Sequence, residues 1–249
     1  SVFTNLMSDH MNYYKGSIKK YLEDKANIYK FQTAEDFLIT NRSLLKKLPI
    51  KPKGKILLPN TSKIEKAPIK ILGNHNLQNT SYAYEVAKIL GLKSKEIYRA
   101  LKTFSGLEGR LQYLGKKKGV EIINDNNSTT PEATVAGIEA VHEKYKNKNI
   151  ILICGGSDKE LDLSRLAQHI KKFCHKTILL KGSGTEHLKK KIRSNFIEKD
   201  SLKDAVKEAF KLSRKNGVIL FSPGFASFGM FENEYDRNDQ FLKLIKSLN

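Results

Sequence analysis

Between Val120 and Thr134 the chain reads V-E-I-I-N-D-N-N-S-T-T-P-E-A-T, an apolar run that passes through polar residues and restarts as a helix. Thr130 suits the N-cap, Pro131 the first helical position, and Glu132 the positive end of the helix dipole. Free backbone N–H groups then lie beside Asp125, Asn126, Asn127, Ser128 and Thr129, a setting that holds phosphate, ribose or carboxylate groups in α/β proteins. Two further runs have the same character. Cys154-Gly155-Gly156-Ser157-Asp158-Lys159 combines close backbone approach with a cation. Ser222-Pro223-Gly224-Phe225-Ala226-Ser227-Phe228 is rich in small residues and hydroxyls, with Asn233 beyond it. Asn76 and Asn79, three apart at a helix start, share a face and offer amide donors and acceptors to a heterocycle edge. Asp9-His10, after a strand-like start, suits a metal or a phosphate, and Lys25 lies in a helix that looks half buried. Each of these has a plain structural alternative: a turn, a cap or a solvated lysine.

Placing such residues together needs a sheet. From Arg110 onward apolar runs of strand length alternate with helical periodicity. Strands are predicted at 111–114, 120–123, 150–154, 177–180 and 218–221, and helices at 131–143, 163–173, 186–193, 202–213 and 234–247. That alternation predicts a mainly parallel, doubly wound sheet whose ligands gather at the strand C-terminal ends. The three polar runs above all fall at such ends. Before Arg110 the pattern gives a strand start at Val2-Phe3, helices at 18–31, 82–90 and 95–104, and strands at 37–40 and 56–59. Gly106 and Gly109 break the periodicity, which puts a domain boundary near 104–109.

With 12 Phe, 10 Tyr and 39% hydrophobic residues the sequence is that of a folded protein. Its net charge of +19 raises the prior for an anionic partner, but the lysines are spread over almost every helix. With no interleaved basic–aromatic motif, neither nucleic acid nor a membrane is expected as partner. Cys154 and Cys174 have no CxxC partner and fit buried positions in a reducing compartment. No apolar run is long enough to cross a bilayer. The chain opens with Ser1 in a strand-like run, as expected of a piece of a longer cytoplasmic protein.

Seven runs, taken together and in order, carry a resemblance. They are T-N-L-x-x-D-H-M (4–11), Y-L-E-D-K-A-N-I-Y (21–29), G-N-H-N-L-Q-N (73–79), G-L-E-G-R-L-Q-Y (106–113), I-N-D-N-N-S-T-T-P-E-A-T (123–134), G-G-S-D-K (155–159) and S-P-G-F-A-S-F-x-M-F-x-N (222–233). In this set the chain resembles the Mur ligases, bacterial ATP-dependent amide-forming enzymes of peptidoglycan precursor synthesis. Within them it looks most like the branch that adds glutamate to UDP-N-acetylmuramoyl-L-alanine. The resemblance implies an α/β fold. Residues 1–105 would be the C-terminal part of a central ATP-binding domain, and 106–249 a Rossmann-like, doubly wound C-terminal domain that binds the amino acid. The family's phosphate loop, G-x-x-x-x-G-K-[ST], is not in these residues, so the chain alone is expected to be inactive.

The same resemblance implies residue roles, with ATP and Mg²⁺ as cofactors and a cytoplasmic monomer as the working form. His10 matches a magnesium ligand, and Lys25 a lysine that is carbamylated and helps order Mg²⁺. Asn76 and Asn79 match adenine contacts, Arg110 the arginine that reaches the terminal phosphate, and Asp125 an acceptor of ribose hydroxyls. Thr129, Lys159, Ser227 and Phe228 match positions around the incoming amino acid, and Asn233 closes that motif. The chain also departs from the family pattern. Gly109 stands where a histidine is usual before the arginine, and Asn127 replaces a lysine, which predicts weaker ATP affinity or a substitute cation. Glu234 stands where an aromatic is usual, and Gly224-Phe225 is bulkier than the usual small pair. D-glutamate is the expected substrate, with L-glutamate or another acidic amino acid open. Other readings are a folylpolyglutamate-type or cyanophycin-type ligase, and a basic Rossmann-like module that grips nucleic acid.

Overall fold

The computed structural model describes residues 1–7, 13–64, 67, 69–213 and 216–248, and His10 lies outside them. The chain divides into two units, Ser1–Ser105 and Gly106–Asn249.

In the first unit β1 (Phe37–Ile39) and β2 (Lys55–Leu57) pair in parallel. The expected opening strand is reduced to a single bridge between Val2 and Ile39. Helix α1 (Ile18–Lys25) starts at Ser17, whose hydroxyl accepts the Lys20 N–H at 3.3 Å. Its periodicity predicted a helix to residue 31, but the α-helical turns stop at Lys25 and the chain tightens into a 3₁₀ turn at Ala26–Ile28. Winding at three residues per turn sets Ala26 and Tyr29 on one face, and both are buried with Phe3, Leu22, Leu38 and Leu44. Apolar spacing does not distinguish that winding from 3.6. A short helix α2 (Arg42–Leu45) follows β1, capped by the Asn41 side chain on the Leu44 N–H at 2.8 Å.

Helix α3 (Asn74–Ile89) begins well before the predicted Tyr82. Its first turns are polar and show no apolar stripe, yet Thr80 donates to the Asn76 carbonyl at 2.8 Å and Ser81 to that of Gln78 at 2.7 Å. These hydroxyls bond back onto the helix and do not compete with it. Helix α4 (Ser94–Thr103) packs Ile97 against Ile64 and Tyr84.

The second unit is a six-stranded sheet. Its strands are β3 (Gln112–Lys117), β4 (Val120–Asn124), β5 (Ile150–Cys154), β6 (Cys174–Leu180), β7 (Phe196–Lys199) and β8 (Val218–Phe221), in the order β3-β4-β8-β5-β6-β7. All neighbours are parallel except β3 with β4. The helices are α5 (Pro131–Lys144), α6 (Ser164–Phe173), α7 (Ser183–Ile192), α8 (Leu202–Leu212) and α9 (Glu234–Lys246). Along the strands one set of side chains (Val120, Ile122, Ile151, Ile153, Ile219, Phe221) packs with Ala205, Val206, Phe241 and Ile245 of α8 and α9. The alternate set (Ile123, Leu152, Leu179, Leu220) faces the other way, on the side of α5, α6 and α7, where Ile138, Leu166 and Leu188 are buried. Each such buried Ile, Leu or Phe contributes roughly 1.5–3 kcal/mol relative to exposure, so the doubly wound layers are held from both faces.

β7 was not foreseen, because Phe-Ile-Glu-Lys is half-buried at every position and shows no alternation. Cys154 and Cys174 are free and buried on neighbouring strands; burial raises both thiols, Cys174 to about 12, which keeps them protonated and unreactive.

Candidate functional site

β8 lies between β4 and β5, so the loops that follow these three strands are neighbours at the C-terminal edge of the parallel sheet. Hydrogen bonds join them. The Gly155 N–H donates to the Pro223 carbonyl at 2.9 Å, the Ser157 N–H to that of Ala226 at 3.1 Å, and the Gly224 N–H to that of Ser128 at 2.8 Å. The Ser157 hydroxyl donates to the Phe228 carbonyl. Thr129, Lys159, Ser227 and Phe228 are thereby carried on one connected rim. Ser227 is buried, while Phe228 stands 65% exposed.

The loop after β4 is built from buried polar side chains. Asp125 accepts the Leu111 N–H on Oδ1 at 3.1 Å and the Ser222 hydroxyl on Oδ2 at 2.8 Å. Burial pushes its carboxyl up to about 7, against the pull of those hydrogen bonds and of Arg110. Ser128 and Thr134 share a hydrogen bond at 2.9 Å, and Thr130 caps α5 as its sequence predicts, accepting the Ala133 N–H at 3.4 Å.

Arg237 was missed by the reading of the sequence. It is fully buried on α9, and donates from Nε to Asn126 Oδ1 at 2.8 Å, from Nη2 to the Asn126 carbonyl at 2.9 Å and from Nη1 to the Phe225 carbonyl at 3.3 Å. One guanidinium thus ties the β4 loop to the β8 loop. Burial lowers it to about 10, so it stays charged at neutral pH. An arginine inside an otherwise amphipathic helix looks like any solvated residue until its phase is set against Phe241 and Ile245. Its neighbour Asn238 accepts from Asn124 at 2.9 Å and donates to Glu108 Oε1 at 2.6 Å.

The loop after β5 is pinned through its neighbours. The Asp158 N–H donates to the Ser183 hydroxyl at 3.0 Å, and Asp158 Oδ2 lies 3.0 Å from His187 Nδ1 on α7. Lys159 follows, half-buried. Asn233 uses its side-chain oxygen to cap α9, accepting the Tyr235 and Asp236 N–H groups at 2.9 Å each. The bulk of Phe225 is turned inward: it is buried, and its ring fills the space where Gly184 of α7 has no side chain. The extra bulk of Gly224-Phe225 relative to the usual small pair is thus taken up in the core.

In the first unit, Asn76 and Asn79 share a helix face as predicted and bond to each other at 3.4 Å, with Asn76 Nδ2 also on the Leu72 carbonyl at 2.7 Å. Lys25 ends α1, half-buried, with its ammonium 4.8 Å from the Tyr21 ring centroid. Among the described residues no group of three or more His, Cys, Asp or Glu could hold a metal ion, and no helix is long and apolar enough to cross a membrane.

Residues 109–225 match the Mur ligase, glutamate ligase domain. The whole chain is 32% identical to UDP-N-acetylmuramoylalanine–D-glutamate ligase of Borreliella burgdorferi, covering 100% of this chain and 59% of that protein. It is 34% identical to the enzyme of the same name from Aquifex aeolicus, covering 98% and 61%. The chain therefore spans about three-fifths of the length of these relatives. Among solved structures it is similar to the MurF ligase of Thermotoga maritima in complex with ADP, with a TM-score of 0.74 at 18% identity over 99% of this chain and 61% of that one. It is similar also to the folylpolyglutamate synthase of Mycobacterium tuberculosis complexed with ADP, with a TM-score of 0.73 at 12% identity over 98% and 62%. At such identities these two likenesses establish the fold alone. Over residues 109–225 the chain thus matches the glutamate ligase domain of the Mur ligases, and from end to end it is similar to enzymes named as D-glutamate ligases.

Proposed function

We infer that the protein, at full length, is an ATP-dependent ligase that joins glutamate to UDP-N-acetylmuramoyl-L-alanine through an acyl phosphate. The observation that carries this reading is the rim of three stitched loops, which presents Thr129, Lys159 and Phe228, with Arg110 on the loop before β3 that is bonded to it, in a chain whose relatives are named as D-glutamate ligases. Arg110 is exposed on its loop and supplies a planar cation for charge developing on the transferred phosphoryl group. Lys159 pairs with a carboxylate of the incoming glutamate, beside Thr129 and Ser227. Asn233 completes this motif by fixing the start of α9. Asn76 and Asn79 present paired amides for the adenine edge. Asp125, with both oxygens already holding protein donors, takes the ribose only through remaining lone pairs.

Mg²⁺ is the ion this chemistry uses, with His10 and carbamylated Lys25 as its proposed holders; it would neutralise phosphate charge. Lys25 becomes an oxygen donor only on carbamylation, and the described residues offer no wider donor cluster. No step is therefore routed through the ion. In this reading the protein acts as a cytoplasmic monomer.

The test is phosphate release by the full-length protein with ATP, Mg²⁺ and UDP-N-acetylmuramoyl-L-alanine, comparing D-glutamate, L-glutamate and no amino acid. Release that requires D-glutamate is expected. Release only with L-glutamate would keep the mechanism and change the substrate, and release with neither would overturn the reading.

A further inference from the structure

The loop that bears Arg110 is fixed from the loop after β4, by Asn127 before Arg110 and by Asp125 after it. The Asn127 N–H donates to the Gly109 carbonyl at 2.9 Å, and Asn127 Nδ2 donates to the Glu108 carbonyl at 3.3 Å. Asn127 Oδ1 in turn accepts from Asn126 Nδ2 at 3.1 Å, and Asn126 is the residue that Arg237 grips. On the far side of Arg110 the Leu111 N–H donates to Asp125. The path between these anchors is tight: Gly109 and Leu111 both have positive φ, +68° and +44°. A side chain at Gly109 would begin 3.0 Å from Asn127 Oδ1 and 3.2 Å from Asn127 Cγ. Gly109 and Asn127, two positions that depart from the family pattern, are thus in contact and fitted to each other.

We propose that Asn127 is a positioning residue, whose amide sets the course of Glu108–Leu111 and so the direction in which Arg110 leaves the loop. The amide is suited to this because it accepts from Asn126 and donates to Glu108 at once. A lysine at this position donates only, an aspartate accepts only, and neither completes the relay. Asn127 is then a neutral clamp in place of the cation expected there. The consequence at the phosphate rests on the function proposed above; the clamp itself rests on geometry alone.

The experiment uses the full-length protein, with Asn127→Ala, Asn127→Lys and Arg110→Ala singly and Asn127→Ala combined with Arg110→Ala. Backbone hydrogen exchange over 108–111 reads the clamp without reference to activity. One lost anchoring hydrogen bond should speed it roughly tenfold in Asn127→Ala, with the central strands of the sheet unchanged. Unaltered exchange in Asn127→Ala overturns the proposal. In phosphate release, kcat should fall about tenfold in Asn127→Ala with KM for the amino acid unchanged, and no further loss should follow in the Arg110→Ala background. An equal loss in both backgrounds would mark Asn127 as merely stabilising and overturn the positioning role. So would Asn127→Lys with wild-type exchange and tighter ATP binding. If the unsubstituted protein releases no phosphate with any amino acid, the proposed function fails, and the exchange result alone decides the clamp.

Discussion

Two loops of the sheet, one on each side of the loop after β8, are made in opposite ways. The loop after β4 is built from side chains: Asn124, Asp125, Asn126 and Ser128 are all buried and bonded to protein groups. The loop after β5 is built from backbone: Gly155 and Gly156, at φ +121° and +149°, let the chain run against β6 and the β8 loop, and Ser157 to Lys159 are left half-exposed. The side-chain loop spends its polar atoms on the fold and gains a fixed frame for its neighbours. The backbone loop needs few side chains to hold its course and leaves Lys159 half-exposed. On the proposed function, frame and contact are divided between them, and the residues left at the rim are those assigned to ligands.

Breaking the backbone loop should cost most. A side chain at Gly155 would overlap the Leu180 carbonyl and come within 2.7 Å of Thr185 Oγ1, so backbone must shift. Gly155→Ala is expected to destabilise the second unit by more than about 4 kcal/mol. Denaturant unfolding with little or no folded baseline would be the result, and a wild-type midpoint would refute the close-approach account.

The side-chain loop should show itself in pH dependence. Asp125, ordinarily near 3.8, is raised to about 7 by burial. The folded state holds this proton up to about pH 7, and the unfolded chain releases it near pH 4. Between those values the native state binds more protons, so stability falls as pH rises. The contribution is complete below pH 4 and lost through pH 7, amounting to about 4 kcal/mol. Asp125→Asn should flatten this slope, since an amide oxygen still accepts the Leu111 N–H while Ser222 turns its hydroxyl to Thr134, 3.1 Å away. An unchanged slope would place the titration elsewhere.

Arg237→Met tests the frame directly. It strands three acceptors, the Asn126 Oδ1 and carbonyl and the Phe225 carbonyl. It also removes a buried cation whose desolvation was costly. Stranded acceptors dominate, and a net loss of about 3 kcal/mol is expected. A neutral or stabilised variant in urea unfolding would mean that the cation was retained for something other than stability.

What the sequence disclosed follows the same division. Parallel strands and the helices over them were legible, because apolar periodicity reports burial and burial builds these layers. The three loop runs were legible because Gly-Gly, Ser-Pro-Gly and Thr-Pro-Glu have local conformational meaning. The amide frame was not. Asn126 and Asn127 read as part of a ligand-holding loop and Asn124 and Asn238 drew no reading of their own; only their partners, up to 114 positions away, turn them into a network. The same holds for β7, whose pairing with β6 no local pattern announces, and for Phe225, whose bulk is absorbed by Gly184 on another element.

The smallest effect belongs to the rim. If the half-exposed Lys159 pairs with a carboxylate of the substrate, its truncation should leave stability near wild type, since the ionic contacts of a half-exposed lysine contribute little to folding. It should act instead on the amino acid. A charge-assisted hydrogen bond is worth about 1.5–3 kcal/mol, so Lys159→Ala should raise KM for glutamate roughly 10- to 150-fold in the full-length protein. KM for ATP should hardly move, because Lys159 is on the loop after β5 whereas Arg110 is on the loop before β3, held from the loop after β4. Glutamate KM unchanged would remove Lys159 from the site. Glutamate and ATP constants rising together would mean that the β5 loop, like the β4 loop, belongs to the frame, and the distinction between the two would collapse.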